Sequence, residues 1–339
     1  MSKYDKKRKK NINEDVFDNP FDRIFADYDE RQRIKTEAAL KEANINPALI
    51  DAERYMPQNV EPPRTTIAQK TVQKKAVVKP KPAAPAASAG IPSVTIGSAT
   101  IIGKREYQQD ALASSAIPER DKYIAVLCDG MGGMNGGERA SALCIEKMIE
   151  AFHTEEQEIP IFFQDNIVDI DIAVASICDE YGDPIGAGST LVSVIIDRGD
   201  LYWASVGDSH IYVIRGDEML RVNTEHNYML ELQRAVQRGE ITQEQADADP
   251  KKEALISYMG MGCVSLMDIN QKPLKLYEND IVLLCSDGLY RTISDNEILQ
   301  TVKQYSNNPQ LAADVLIDSV IARDKPHQDN TSVILVRYK

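Results

Sequence analysis

The chain is predicted to hold an α+β domain, on three observations. Apolar runs of strand length recur, tight Gly-containing turns join some of them, and helical stretches fall between groups of strands. The strand-like runs are Ser93–Ile101, Tyr123–Cys128, Gly188–Asp197, Leu201–Ser205, His210–Arg215, Asp280–Cys285 and Thr331–Tyr338. Asp197-Arg198-Gly199-Asp200 and Arg215-Gly216-Asp217 read as hairpin turns, which makes the pairing antiparallel. Helical periodicity covers Gly137–His153, Phe163–Tyr181, Glu225–Arg238, Ser294–Tyr305 and Pro309–Arg323.

The first ninety residues read differently. Residues 1–55 form an arm with a basic tip, in which Phe17, Phe21, Ile24, Phe25 and Tyr28 recur at helical spacing. That stripe suits a helix docking a partner, or one packing back on the larger domain, or no fixed structure. Residues 56–90 are rich in Pro, Ala and Lys and read as an extended linker. The remaining domain is then 91–339.

Charge divides the chain at the same place. Residues 1–90 carry 18 Lys+Arg against 13 Asp+Glu, a net of +5, and the rest carries −18. So acidic a body suits divalent cations and argues against nucleic acid as a substrate. Five widely spaced cysteines (128, 144, 178, 263, 285) in apolar settings read as buried thiols of a reducing compartment. No apolar run approaches the roughly 20 residues of a membrane span, and no apolar region follows the Lys-rich start to make a signal peptide. The expectation is a cytoplasmic protein.

Four aspartates stand at the ends of apolar runs. Asp110 closes Gly103-Lys104-Arg105-Glu106-Tyr107-Gln108-Gln109, and Asp129 lies in Cys128-Asp129-Gly130-Met131-Gly132-Gly133. Asp287 lies in Cys285-Ser286-Asp287-Gly288-Leu289, and Asp329 in Gln328-Asp329-Asn330-Thr331. Asp-Gly alone is turn chemistry. The glycine-rich run from Gly130 to Gly137 is, however, too long for a two-residue hairpin. A strand ending in an acid sets a carboxylate on rigid backbone at the rim of a sheet. Several such rims converging would make an all-oxygen pocket suited to Mg²⁺ or Mn²⁺. Gly188-Ser189-Thr190-Leu191 and Val206-Gly207-Asp208-Ser209-His210 stand between these aspartates in sequence.

This ordered series resembles the metal-dependent serine/threonine protein phosphatases of the PPM, or type 2C, family in its bacterial form. The resemblance runs from about residue 91 to the C-terminus. It includes Glu231–Gly262, whose Arg-Gly-Glu-Ile-Thr (238–242) and Gln-Ala (245–246) look like the bacterial flap insert. It implies a fold of two central antiparallel β-sheets flanked by pairs of α-helices. It also implies hydrolysis of phosphoserine and phosphothreonine in proteins by a metal-activated water, opposing a bacterial-type serine/threonine kinase.

By resemblance, Asp129 bridges two Mn²⁺ or Mg²⁺ ions, the Gly130 carbonyl binds one of them, and Asp287 and Asp329 hold the other. Asp110 and the Gln109 side chain stand close by, and Arg105 clamps the substrate phosphate, for which a planar fork of donors is suited. Asp208 either closes a turn or joins Asp287 in holding a third, weaker ion near the flap. His226 is expected to act structurally, through a hydrogen bond. Three departures stand out: Gln108 for the usual Asn, His210 for an Arg, and Met131 where animal members carry a His. Retention of Asp129, Asp287 and Asp329 favours an enzyme over a phosphatase-like signalling scaffold. A narrow-specificity phosphatase of one regulatory protein is the closer alternative.

Overall fold

The computed structural model describes residues 93–133 and 136–339. The expectations for residues 1–55 and 56–90 lie outside the described residues. Strands and helices are numbered in chain order. One sheet runs β1 (Val94–Ile101), β12 (Thr331–Tyr338), β11 (Ile281–Cys285), β7 (His210–Arg215), β8 (Glu218–Arg221). The second runs β10 (Leu274–Lys275), β6 (Asp200–Val206), β5 (Leu191–Asp197), β3 (Lys122–Met131), β2 (Asp110–Ile117). Two short strands join it, β4 (Gly188–Ser189) on β3 and β9 (Asp268–Ile269) on β6. Every pairing is antiparallel.

Side-chain alternation explains the layering. In β3, Ile124, Val126 and Cys128 join one apolar cluster with α1 (Gly136–Thr154) and α2 (Ile159–Ala175). The intervening Tyr123, Ala125 and Leu127 are also buried and point the other way, towards the facing sheet. In β11, Ile281, Leu283 and Cys285 cluster with α6 (Asp295–Gln304) and α7 (Pro309–Ala322). Val282 and Leu284 then complete the layer between the sheets. With both faces covered, β5 and β11 are nearly continuous apolar runs. Two antiparallel sheets flanked by helix pairs are thus present.

The remaining helices are short: α3 (Tyr228–Gln237), α4 (Gln243–Ala248) and α5 (Asp287–Tyr290). Several boundaries differ from expectation. β2 and α4 were not anticipated, and the helix expected at Phe163–Tyr181 begins at Ile159, with Pro160 in its first turn, and stops at Ala175. Proline is tolerated there because the first helical N–H groups have no intrahelical partner. The run Gly188–Asp197 divides at Thr190, whose side chain bonds elsewhere. Cys128, Cys144 and Cys285 are buried thiols, but Cys178 is half-buried and Cys263 exposed; all five are free. Among the described residues no helix is long and apolar enough to cross a membrane.

Candidate active site

β2, β3, β11 and β12 place their acids at one end of the sandwich. Asp110 opens β2 and lies directly across from Asp129 in β3. Asp287 opens α5 just after β11, and Asp329 precedes β12. Ser286 ties the two sheets together at this point. Its hydroxyl donates to Asp110 Oδ2 at 2.8 Å and accepts the Ser332 N–H at 3.0 Å. Asp129 is fixed through its backbone. Its N–H donates to Thr190 Oγ1 at 2.9 Å, and its carbonyl accepts the Thr190 N–H at 2.8 Å and the Ser189 hydroxyl at 3.1 Å.

Glycine is required at two of these positions by close approach. A Cβ on Gly130 would lie 2.1 Å from the Gly137 carbonyl oxygen, and one on Gly288 would lie 2.0 Å from that of Asn330. The Gly130 N–H donates to the Gln109 carbonyl at 3.0 Å. Asn330, not singled out in the sequence, organises the loop that carries Arg105. Its side chain donates to the Ile102 and Tyr107 carbonyls at 2.8 and 3.1 Å and accepts the Gln109 N–H at 2.8 Å. The Gln109 side chain donates to the Gly132 carbonyl at 3.0 Å.

Electrostatics single this rim out. Burial, and then the charges of Asp110, Asp287, Asp208 and Asp329, push the Asp129 carboxyl well above the usual carboxylate range. Burial raises Asp110 to about 6, against hydrogen bonds from Ser286 and Ser332 and with the charges of Asp287 and Asp329. Burial, then the Asp287 charge, also raises Asp208 to about 6. Asp287 is raised by burial, with Arg291 opposing. Asp110, Asp129, Asp208 and Asp287 therefore share one electrostatic environment, to which Asp329 contributes its charge.

Among the described residues, two arginines face these acids. Exposed Arg105 reaches Asp329 Oδ2 at 2.6 Å, and Arg291 reaches Asp287 Oδ2 at 3.0 Å and Asp208 Oδ2 at 3.4 Å. Among the described residues no three His, Cys, Asp or Glu side chains already converge as a finished metal-ligand set. The donors nevertheless fit a hard divalent cation. They are all oxygen, they carry excess negative charge, and Asp110 Oδ1 is buried with no hydrogen-bond partner.

Around this rim, His226 has the structural role expected of it. The Gly207 N–H donates to its Nδ1 at 3.2 Å, and burial lowers its pKa to about 4. His210 is buried, 2.8 Å from both Glu225 Oε1 and the Tyr212 hydroxyl, and burial lowers its pKa. A cleft of about 310 Å³ beside Arg120, Lys122 and His153 holds none of the site acids.

Comparison with known proteins identifies the family to which this fold belongs. The sequence pattern of the family described as Protein phosphatase 2C matches residues 99–315. The serine/threonine phosphatase stp of Listeria innocua is 29% identical over 223 residues, spanning 64% of this chain and 85% of its own. The serine/threonine phosphatase structure of S. agalactiae superimposes with a TM-score of 0.62 at 26% identity, covering 73% of this chain and all of that one. The catalytic domain of the phosphatase PstP, solved in complex with two manganese ions, shares the fold with a TM-score of 0.57 at 24% identity over 72% of this chain and 97% of its own. Strand-end acids on two sheets, the sheet order and the sequence match lead to one assignment: the chain belongs to the protein phosphatase 2C family, the PPM serine/threonine protein phosphatases, in its bacterial form.

Proposed function

We propose that this chain hydrolyses phosphoserine and phosphothreonine in proteins in a divalent-metal-dependent reaction, opposing a serine/threonine kinase in the cytoplasm. The observation that carries the reading is the Ser286 link, which ties Asp110, across from Asp129 in one sheet, to Ser332 of the strand that follows Asp329, right beside Asp287. Asp129, Asp287 and Asp329, with the Gly130 carbonyl and nearby Asp110, would hold two Mn²⁺ or Mg²⁺ ions. When bound, such ions supply positive charge beside the phosphoryl oxygens and acidify the attacking water.

The chain's own groups do the rest. Thr190 and Ser189 fix the backbone of Asp129, so its carboxylate is presented without reorganisation. Arg105 lies on an exposed loop whose path is set by Asn330, and turns from Asp329 to the substrate phosphate as a bidentate donor. Residues 91–339 form the catalytic domain, and residues 1–55 act as a docking arm on the 56–90 linker. Fully retained acids favour this over a scaffold role.

The test is hydrolysis of a phosphothreonine peptide and an intact phosphoprotein by the full chain and by one starting at Ala89. Mn²⁺ should support peptide hydrolysis by both and EDTA should abolish it, while the shorter chain is slower on the intact protein alone. Full activity in EDTA after exhaustive dialysis contradicts the metal reading.

A further inference from the structure

The Asp208–Asp287 pair has a cation of its own. Arg291 stands one turn after Asp287, with Nε 3.0 Å from Asp287 Oδ2. Its Nη2 is 3.4 Å from Asp208 Oδ2 and 3.1 Å from Glu253 Oε2. The three acids come from separate parts of the chain. Asp208 lies between β6 and β7, Asp287 in the first turn of α5, and Glu253 between α4 and β9.

The origin of the arginine is held firmly. Its N–H donates to the Asp287 carbonyl at 3.0 Å, and its own carbonyl accepts Lys325 Nζ at 2.6 Å. Neighbouring Tyr290 stacks on the His210 ring, with centroids 3.7 Å apart and planes at 12°, and donates its hydroxyl to the Asp208 carbonyl at 3.0 Å. The stack therefore fixes Arg291 against the same backbone that carries Asp208. The charges of Asp287 and Asp208 in turn favour the protonated guanidinium.

Glu253 belongs to a stretch tied to the chain ahead of α3. Tyr228 N–H donates to the Ala254 carbonyl at 2.8 Å, and Ile256 N–H donates to the His226 carbonyl at 2.9 Å. Those bonds fasten the stretch to His226 and Tyr228. The Glu253–Arg291 pair adds a side-chain tie from this stretch to the acidic rim. A planar fork can serve three acids in this way, whereas a divalent ion would need the same Asp208 and Asp287 oxygens.

We propose that Arg291 is the resident cation of the Asp208–Asp287 pair, standing in this chain where a third divalent ion would bind, and that through Glu253 it seats residues 249–256 beside the rim. Arg291 is then a positioning residue. The proposal rests on the two-ion reading of Asp129, Asp287 and Asp329 given above.

The test measures Mn²⁺ stoichiometry of the full chain by calorimetry and by electron paramagnetic resonance of free Mn²⁺. It compares wild type, Arg291→Ala, Asp208→Asn and Glu253→Gln, with hydrogen exchange of residues 249–256 recorded in all four without metal. Wild type should saturate at two ions, and Asp208→Asn should leave that number unchanged. Arg291→Ala should take up a third. Exchange at 249–256 should rise about three- to fivefold in Arg291→Ala and Glu253→Gln, the scale expected for losing half-exposed ion pairs. A wild type that binds three ions and loses one in Asp208→Asn overturns the proposal. So does an Arg291→Ala protein that still binds two, or wild-type exchange in Glu253→Gln. If Arg291→Ala does not fold, Asp208→Asn and Glu253→Gln decide the matter. A wild type that takes up no Mn²⁺ overturns the metal reading of the site itself, and this proposal with it.

Discussion

At the end of the sandwich marked by Asp197, Asp200 and Asp280, each of these acids faces a cation. Arg198 stands 2.8 Å from Asp197, Lys275 3.0 Å from Asp200 and Arg215 2.6 Å from Asp280. At the opposite end of the same strands, Asp110, Asp129, Asp208, Asp287 and Asp329 face Arg105 and Arg291. The first end is neutralised from within and serves the fold. Its exposed pairs contribute little, and Arg215–Asp280, mostly buried, matters because losing one partner would strand the other. Among the described residues, the second end gathers more negative charge than facing cations offset. Such an end opposes folding by itself, and the proposed function gives it a use, since the charge would attract external cations.

The largest effect should separate the two ends. Asp129→Asn should lower kcat/KM with Mn²⁺ about 10³-fold, or roughly 4 kcal/mol, because it removes charge from the centre of the acidic rim. The same variant should unfold no more easily than wild type in chelator. Near-normal turnover on a phosphothreonine peptide would break the comparison at once.

The far end should give the opposite pattern. Arg215→Ala leaves Asp280, which is only 2% exposed, without its cation. Urea unfolding should show a loss of about 3 kcal/mol, while kcat/KM of the folded protein stays within about twofold of wild type. A large loss of kcat/KM with no loss of stability would mean the ends are not functionally distinct.

Arg105→Ala sharpens the contrast within the acidic end. Its side chain is exposed, so stability should change by less than about 0.5 kcal/mol. Lost phosphate contacts should cost about 2 kcal/mol in kcat/KM, with Mn²⁺ affinity nearly unchanged. Matching losses in substrate and metal binding would make Arg105 a structural residue.

The acidic end was the more legible of the two in the sequence. Asp110, Asp129, Asp287 and Asp329 are marked by apolar runs beside them, and strand ends are what the fold brings together. The turn at Asp197–Asp200 was equally readable, since Arg198 and Gly199 take up the positive φ that Gly-containing turns require. β2 was not. Its Ala-Leu-Ala-Ser-Ser-Ala core has no strong strand preference, and full-length pairing with β3 makes it a strand. Ser286 and Asn330 stand next to the site aspartates in sequence, but their work is hydrogen bonding to distant parts of the chain, which spacing does not encode. For Arg291, the pairing with Asp287 four residues earlier is readable as helix chemistry. The contacts with Asp208 and Glu253 exist only after folding.

The acidic end should cost stability until cations enter it, and Asp110 tests this most directly. Its folded pKa is raised from 3.8 to about 6. Its contribution to stability is therefore fully present below about 4 and is lost as pH rises through about 6. Asp110→Asn removes that titration and keeps the shape. In chelator the variant should match wild type near pH 4 and become about 2 kcal/mol more stable than wild type by pH 7. Saturating Mn²⁺ at pH 7 should reverse the order, because the wild-type acid set binds the ion more tightly. A variant that is less stable than wild type at pH 7 in chelator, or a difference that does not change with pH, would contradict the account.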